Sequence, residues 1–222
     1  MAELNQELAV ARLNMVEQQV RTWDVLDQRV LDTLESLPRD GFVEERYRRL
    51  AYVDMKLPLA HDQEMMDPKL EGRVLQSLAI DTTERVLEIG TGSGYLTACL
   101  ARLGAHVTSV DIFPDFQQRA EGLLERHDIH NVSFVEGDAA RGWDDGKRYD
   151  AIAVTGSLPE LHQGFHHSLT IGGRLFVIVG GDPIMEGLLI TRVGEDQWST
   201  ESVLDTSVKP LINAARQPHF RF

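Results

Sequence analysis

Ten residues, Val86-Leu87-Glu88-Ile89-Gly90-Thr91-Gly92-Ser93-Gly94-Tyr95, constrain the fold of this chain more than any other stretch. A short apolar run passes through three alternating glycines into a segment of helical period, Tyr95–Leu103. A buried strand that turns through glycine into a helix is the opening of a parallel α/β unit, where ligands approach the backbone at the strand's carboxyl end. Glycine there allows a sharp turn and leaves no Cβ between main chain and ligand. The G-x-G-x-G spacing differs from the G-x-G-x-x-G that cradles a dinucleotide pyrophosphate. S-adenosylmethionine has no phosphate, and a shorter loop around its methionine and ribose portions suits it better.

From Arg85 onward strands and helices alternate. Strands are expected at Arg85–Ile89, His106–Asp111, Val132–Glu136, Tyr149–Val154 and Arg174–Val179, and helices at Tyr95–Leu103, Pro114–His127 and Glu160–Leu169. That alternation predicts a Rossmann-like, doubly wound, mostly parallel sheet with both faces covered. Gly187–Val193 and Trp198–Leu204, joined at Gly194–Gln197, predict a terminal antiparallel hairpin. The first part of the chain reads as an N-terminal helical extension. Val16, Val20, Val25, Leu26, Val30, Leu31, Leu34 and Leu37 recur at three- and four-residue intervals, with Asp27 as N-cap and Pro38 as stop. Ala51–Met66 reads as an extended loop, and Pro68 opens a helix through Leu78. We therefore expect residues 1–82 to form an extension and loop packed on a core of residues 83–222, one compact unit in all.

Two acids support the loop. Asp111 ends the second strand, seventeen residues after Gly94, where a carboxylate can accept from ribose hydroxyls. Asp138 follows the third strand in Glu136-Gly137-Asp138-Ala139, where a side chain and a backbone amide could read an adenine edge. Other chemistries lack their signatures. There is no G-x-x-x-x-G-K-[ST] phosphate loop and no His/Cys set at metal spacing, so no metal is expected. Ser93 and Ser157 lack a nucleophile elbow, His166 and His167 read as solvated on a helix, and Cys99 reads as a small core residue. Trp23, Trp143 and Trp198 read as packing residues. Arg46, Arg48 and Arg49 beside Glu44 and Glu45 read as a solvated helix face.

With 22 basic against 35 acidic residues and a net charge of −13, nucleic acid is not an expected partner. No apolar run is long enough to span a bilayer, the first thirteen residues lack the order of a signal peptide, and one cysteine suits a reducing compartment, so a cytoplasmic protein without membrane partners is expected. The face from Leu8 to Val20 offers either an intrachain contact or contact with a second copy, and Phe220 and Phe222 offer a sheet-edge or interface contact.

Over nearly its whole length the chain resembles the protein-L-isoaspartate O-methyltransferases. The resemblance rests on Leu37-Pro38-Arg39 with Phe42-Val43, on Ala51-Tyr52 with Asp54 and Leu57-Pro58-Leu59, and on Asp150-Ala151-Ile152 with Val154-Thr155, Pro159 and Gly172-Gly173-Arg174-Leu175. It implies transfer of a methyl group from S-adenosylmethionine to the free carboxylate of damaged aspartyl residues in peptides or proteins, leaving S-adenosylhomocysteine. It also implies Glu88, Gly90, Thr91, Gly92 and Gly94 at the methionine portion, Asp111 and Ile112 at ribose, and Asp138 and Ala139 at adenine.

The chain departs from that family in the acceptor loop, Ala60-His61-Asp62-Gln63-Glu64-Met65-Met66-Asp67-Pro68. His61, Gln63 and Pro68 keep the frame, whereas Glu64 and Met66 stand where the family has Thr and Ser. Glu64 adds negative charge where an anionic acceptor should sit, and the Met66 side chain has no hydrogen to donate to it. Three readings follow: an isoaspartyl methyltransferase with an altered loop, a methyltransferase of another small acceptor that is neutral or cationic, and a non-catalytic S-adenosylmethionine-binding module. A nicotinamide enzyme is disfavoured by the loop spacing.

Overall fold

A computed structural model of the chain describes residues 2–214. In chain order its regular elements are α1 (Ala2–Met15), α2 (Gln28–Ser36), β1 (Leu57–Pro58), β2 (Glu64–Met65), α3 (Pro68–Leu78), β3 (Arg85–Ile89), α4 (Tyr95–Leu103), β4 (His106–Asp111), α5 (Pro114–Arg126), β5 (Val132–Glu136), β6 (Tyr149–Leu158), β7 (Leu169–Gly181), β8 (Ile184–Gly194) and β9 (Gln197–Thr206). A π turn, Val16–Val20, continues α1. Seven strands form one sheet in the order β5-β4-β3-β6-β7-β8-β9. The pairs from β5 through β7 are parallel, and β8 and β9 add antiparallel edges. Strand order reverses between β3 and β6, which opens a crevice at their carboxyl ends.

The helix boundaries follow from local chemistry. Asp27 caps α2 by accepting from the Arg29 N–H at 2.9 Å, and Leu37, held extended before Pro38, ends it. Asp67 caps α3 through the Leu70 N–H at 3.0 Å, with Pro68 in the first turn. Val25 and Leu26 precede α2, and Leu26 is exposed.

Two apolar clusters sandwich the sheet. One joins α1–α5 and the π turn to Val86, Val107, Ala151, Ala153, Phe176 and Ile178. Leu8, Met15, Val16 and Val20 belong to it, so the N-terminal face packs within its own chain, while Val10 and Leu13 stay exposed. Burial of each such Leu or Val stabilises the fold by about 1.5–3 kcal/mol. The other cluster is built on Leu87, Ile89, Val110, Ile152, Val154, Leu175 and Val177.

The second face corrects two expectations. No α-helix forms at Glu160–Leu169; a 3-10 turn occupies His166–Ser168, and Leu169 pairs with Tyr149 in the sheet. The reason is a close backbone crossing. Gly164 lies against the chain at Arg141–Gly142 so tightly that a Cβ on it would sit 2.0 Å from the Arg141 carbonyl oxygen. His162 adds a contact to the Ala140 carbonyl at 3.0 Å. Loops and no α-helix of the described chain therefore cover this face. His166 is buried, not solvated, against the Trp198 ring at 5.4 Å, and burial lowers its pKa. Trp143 and Trp198 do pack on this cluster, but Trp23 is exposed, with the Lys69 ammonium 4.1 Å from its ring centre. Arg46, Arg48 and Arg49 lie on a 3-10 turn, where Arg46 pairs with Glu44 and Arg48 with Asp40. Cys99 is fully buried. Phe220 and Phe222 lie outside the described residues.

Candidate cofactor and acceptor site

A cleft of about 800 Å³, open to solvent, lies at the carboxyl ends of β3, β4, β5 and β6. Of the residues singled out in the sequence, Gly90, Gly92, Asp111, Ile112, Asp138, Ala139, Gln63, Glu64 and Met66 line it; Glu88, Thr91, Gly94 and His61 do not. The first group comes from four segments, brought together because each follows a strand or closes the loop before α3.

The glycine loop closes on itself. Gly90, Gly92 and Gly94 all have positive φ, at 98°, 50° and 81°. A Cβ at Gly90 would lie 2.2 Å from the Thr155 Oγ1, whose hydroxyl lies within hydrogen-bond reach of the carbonyls of Ile89 and Gly90, at 2.9 and 3.1 Å. The loop amides are engaged internally: Gly90 N–H donates to the Val110 carbonyl, Gly94 N–H to that of Thr91, and Gly92 N–H to the Asp111 Oδ2 at 3.1 Å. A loop whose three glycine amides are consumed, with a carboxylate beside it, is a poor cradle for phosphate and suits a phosphate-free ligand. Asp111 also accepts from Phe113 N–H at 2.9 Å. Burial raises its pKa, and the donations from Phe113 and Gly92 oppose that rise.

Glu88, Thr91 and Gly94 lie beneath this surface. Glu88 is fully buried and accepts through Oε2 from Ser109 Oγ at 2.5 Å and Thr97 Oγ1 at 2.6 Å; Thr91 Oγ1 joins Ser109 at 2.7 Å. Glu88 Oε1 has no partner, and burial pushes the carboxyl up to about 8 against the pull of the two hydroxyls. Gly94, at the start of α4, packs on Ala120 of α5. These three residues meet the underside of the loop. Asp138, by contrast, faces the cleft and holds its own turn through Ala140 N–H at 3.0 Å, with Asn213 Nδ2 donating to its other oxygen at 2.9 Å.

The acceptor loop folds over the cleft as the β1–β2 hairpin. His61 stacks on Phe113 with centroids 4.0 Å apart and contacts the Asp115 carboxylate at 2.9 Å, which ties the hairpin tip to the start of α5. That bond is the main cause of the lowered Asp115 pKa. At the other end, fully buried Arg39 holds the carbonyls of Met66 and Ala51 and pairs with Glu71 at 3.0 Å. Glu64 faces the cleft at the hairpin, and Met66 is buried.

Several cleft residues carried no sequence signal of a role: Lys56, Phe113, Thr155 and the segment Val208–Ile212. Thr155 stood within a motif, but its contact with Gly90 depends on β6 lying beside β3. The segment after β9 crosses the cleft mouth and bonds to Ser157, whose N–H donates to the Lys209 carbonyl while Leu211 N–H returns to Ser157. Among the described residues no cluster suits a metal ion, and no helix is long and apolar enough to cross a membrane.

Comparison with known proteins adds a consistent set of similarities. The family model for protein-L-isoaspartate(D-aspartate) O-methyltransferase matches residues 11–213. Protein-L-isoaspartate O-methyltransferase 1 of Rhodopseudomonas palustris (strain HaA2) is 38% identical over 205 residues, covering 92% of this chain and 84% of that one. Protein-L-isoaspartate O-methyltransferase of Yersinia enterocolitica is 40% identical over 201 residues, covering 90% of this chain and 96% of that one. A Plasmodium falciparum crystal structure, titled for the same methyltransferase and in complex with S-adenosyl-L-homocysteine, superposes with a TM-score of 0.78 over 90% of this chain and 97% of that one. At 19% identity that likeness speaks for the fold alone.

Proposed function

The chain belongs to the protein-L-isoaspartate(D-aspartate) O-methyltransferase family, and we propose that it transfers the methyl group of S-adenosylmethionine to the carboxylate of damaged aspartyl residues in peptides and proteins. The observation that carries this reading is a cleft at the β3–β6 switch point that a phosphate-averse glycine loop and an acceptor hairpin both line. Gly90, Gly92, Asp111 and Ile112 would hold the methionine and ribose portions, and Asp138 with Ala139 the adenine. Glu88, Thr91 and Gly94 would act beneath them by fixing the loop. We further read residues 1–82 as an extension whose role is to carry the acceptor hairpin onto the core of residues 83–222.

When bound, S-adenosylmethionine supplies a methyl group already activated on a sulfonium. The acceptor is already a nucleophilic carboxylate, so the protein need not move a proton. What these residues contribute is placement and removal of water, which can supply much of a rate enhancement when reacting atoms are held in line. The His61–Phe113 stack and the Arg39 tether fix the two ends of the hairpin, and Leu59, Met65, Met66 and Leu211 give the cleft apolar walls.

The test has two arms. S-adenosylhomocysteine should raise the melting temperature of the wild-type protein, and Asp111→Ala should abolish the rise. The protein should methylate an isoaspartyl peptide and ignore its ordinary aspartyl counterpart. A folded protein with no thermal shift would sink the cofactor assignment; a shift without isoaspartyl turnover would sink the acceptor assignment alone.

A further inference from the structure

The acceptor hairpin, residues 57–67, carries no hydroxyl donor, yet the cleft has another means of holding an anion. We propose that Lys209, on the segment that crosses the cleft mouth, is the specificity-determining residue that receives the acceptor carboxylate. This rests on the acceptor reading above.

A lysine ammonium has three N–H groups. In Lys209 one of them donates to the Asp62 backbone carbonyl, and Oδ1 of the same residue lies at 2.8 Å as an ion pair. The nearest oxygen of Glu64 lies at 4.0 Å, beyond hydrogen-bond length. At least one N–H therefore remains without an acceptor among the described residues, in the cleft that Lys209 and Glu64 both line.

Placement is firm. Ser157 N–H donates to the Lys209 carbonyl at 3.0 Å, Ser157 Oγ to that of Val208 at 3.1 Å, and Leu211 N–H returns to Ser157 at 3.0 Å. These bonds fix the backbone under Lys209 against the end of β6, two residues past the Thr155 that touches Gly90. The ammonium thus stands between the glycine loop and the acceptor hairpin. The second cleft lysine, Lys56, is turned to the carbonyl of Ser207 and braces the same segment.

Neither neighbouring acid holds Lys209 by a side-chain hydrogen bond. The Asp62 side chain is almost fully exposed, so its pairing with Lys209 is screened by water. Glu64 pairs with Lys209 at 4.0 Å without a hydrogen bond, so it competes through charge alone. An acceptor carboxylate arriving between apolar walls of Leu59, Met65 and Met66 would take the free N–H and separate Lys209 from Glu64. Lys209 holds the acceptor in this account and takes no part in the exchange of bonds.

Initial rates on an isoaspartyl peptide at saturating S-adenosylmethionine, with calorimetric binding of S-adenosylhomocysteine, provide the test for wild type, Lys209→Met, Lys209→Arg and Glu64→Gln. Lys209→Met should raise the peptide KM by about tenfold or more with kcat within about threefold, the signature of lost uniform binding, and should leave S-adenosylhomocysteine affinity unchanged. Lys209→Arg should recover most of the KM, and Glu64→Gln should lower it by removing a competitor. Wild-type turnover with KM unmoved in Lys209→Met overturns this proposal alone. Parallel loss of S-adenosylhomocysteine affinity would make Lys209 a brace for its segment and also overturns it. A higher KM in Glu64→Gln would assign recognition to the acid instead. A wild type that binds S-adenosylhomocysteine but never methylates the peptide removes the acceptor reading and this proposal together.

Discussion

Replacing Glu88 by Gln should make the protein markedly more resistant to alkaline conditions without altering its stability in mild acid. Glu88 has no exposure, its Oε2 receives two hydroxyls, and its Oε1 faces no partner. Burial raises its pKa from 4.5 to about 8. Between those values the folded protein keeps a proton that the unfolded chain has released, so the unfolded state binds fewer protons and stability falls as pH rises. The slope for one such proton is about 1.4 kcal/mol per pH unit, or about 4 kcal/mol from roughly pH 5 to pH 8. Glutamine mimics the protonated acid closely: its carbonyl accepts from Ser109 and Thr97, and its amide takes the place of the protonated oxygen. The variant and the wild type should thus unfold alike near pH 5 and diverge steadily above it. For a chain of this size about 4 kcal/mol corresponds to roughly 10 °C in melting temperature. Urea titrations at several pH values measure the difference directly. Parallel wild-type and variant curves, or a variant less stable at about pH 8, would refute the assignment of a protonated Glu88.

Two further perturbations probe the loop and the hairpin tether. Gly90→Ala sets a Cβ 2.2 Å from Thr155 Oγ1 at a φ of 98°, so the loop must shift, at roughly 1–3 kcal/mol of stability, and the thermal response to S-adenosylhomocysteine should vanish. An unchanged response would show that the cofactor does not approach this loop. Arg39→Met strands the Glu71 carboxylate and the carbonyls of Ala51 and Met66, and denaturation should register a loss of about 3–5 kcal/mol. Adding Glu71→Leu should return much of that stability but not the fixed hairpin, so the peptide KM should stay raised; full kinetic rescue by the double variant would argue against a tethering role.

How much of this was legible from the residue order depends on where the determining contacts lie. Asp27 and Asp67 announce α2 and α3 because a cap acts on amides only two or three residues ahead. The β3 loop is legible for the same reason, since Gly90, Gly92 and Gly94 answer a local need for positive φ. The helix expected at Glu160–Leu169 fails because its competitor is remote: Gly164 is pressed on Arg141–Gly142, a crossing that no local period encodes. His166 follows the same logic, as its burial depends on Trp198 in the last strand.

The candidate site divides along the same line. Its cofactor half uses side chains that follow successive strands, so the order of strands in the chain already places Asp111 and Asp138 near the glycine loop. Its acceptor half joins the hairpin to a segment far downstream: Lys209 meets Asp62 across 147 residues, and Asn213 reaches Asp138 across 75. Read along the chain, Glu64 and Met66 look like losses, a charge of the wrong sign and a missing donor. In the folded protein Glu64 stands within 4.0 Å of an ammonium that supplies the opposite charge and a free N–H to the same cleft. A loop substitution can therefore be judged only together with the segment that closes over it. The Lys209 and Glu64 variants, whose expected effects on KM have opposite signs, measure that pairing directly.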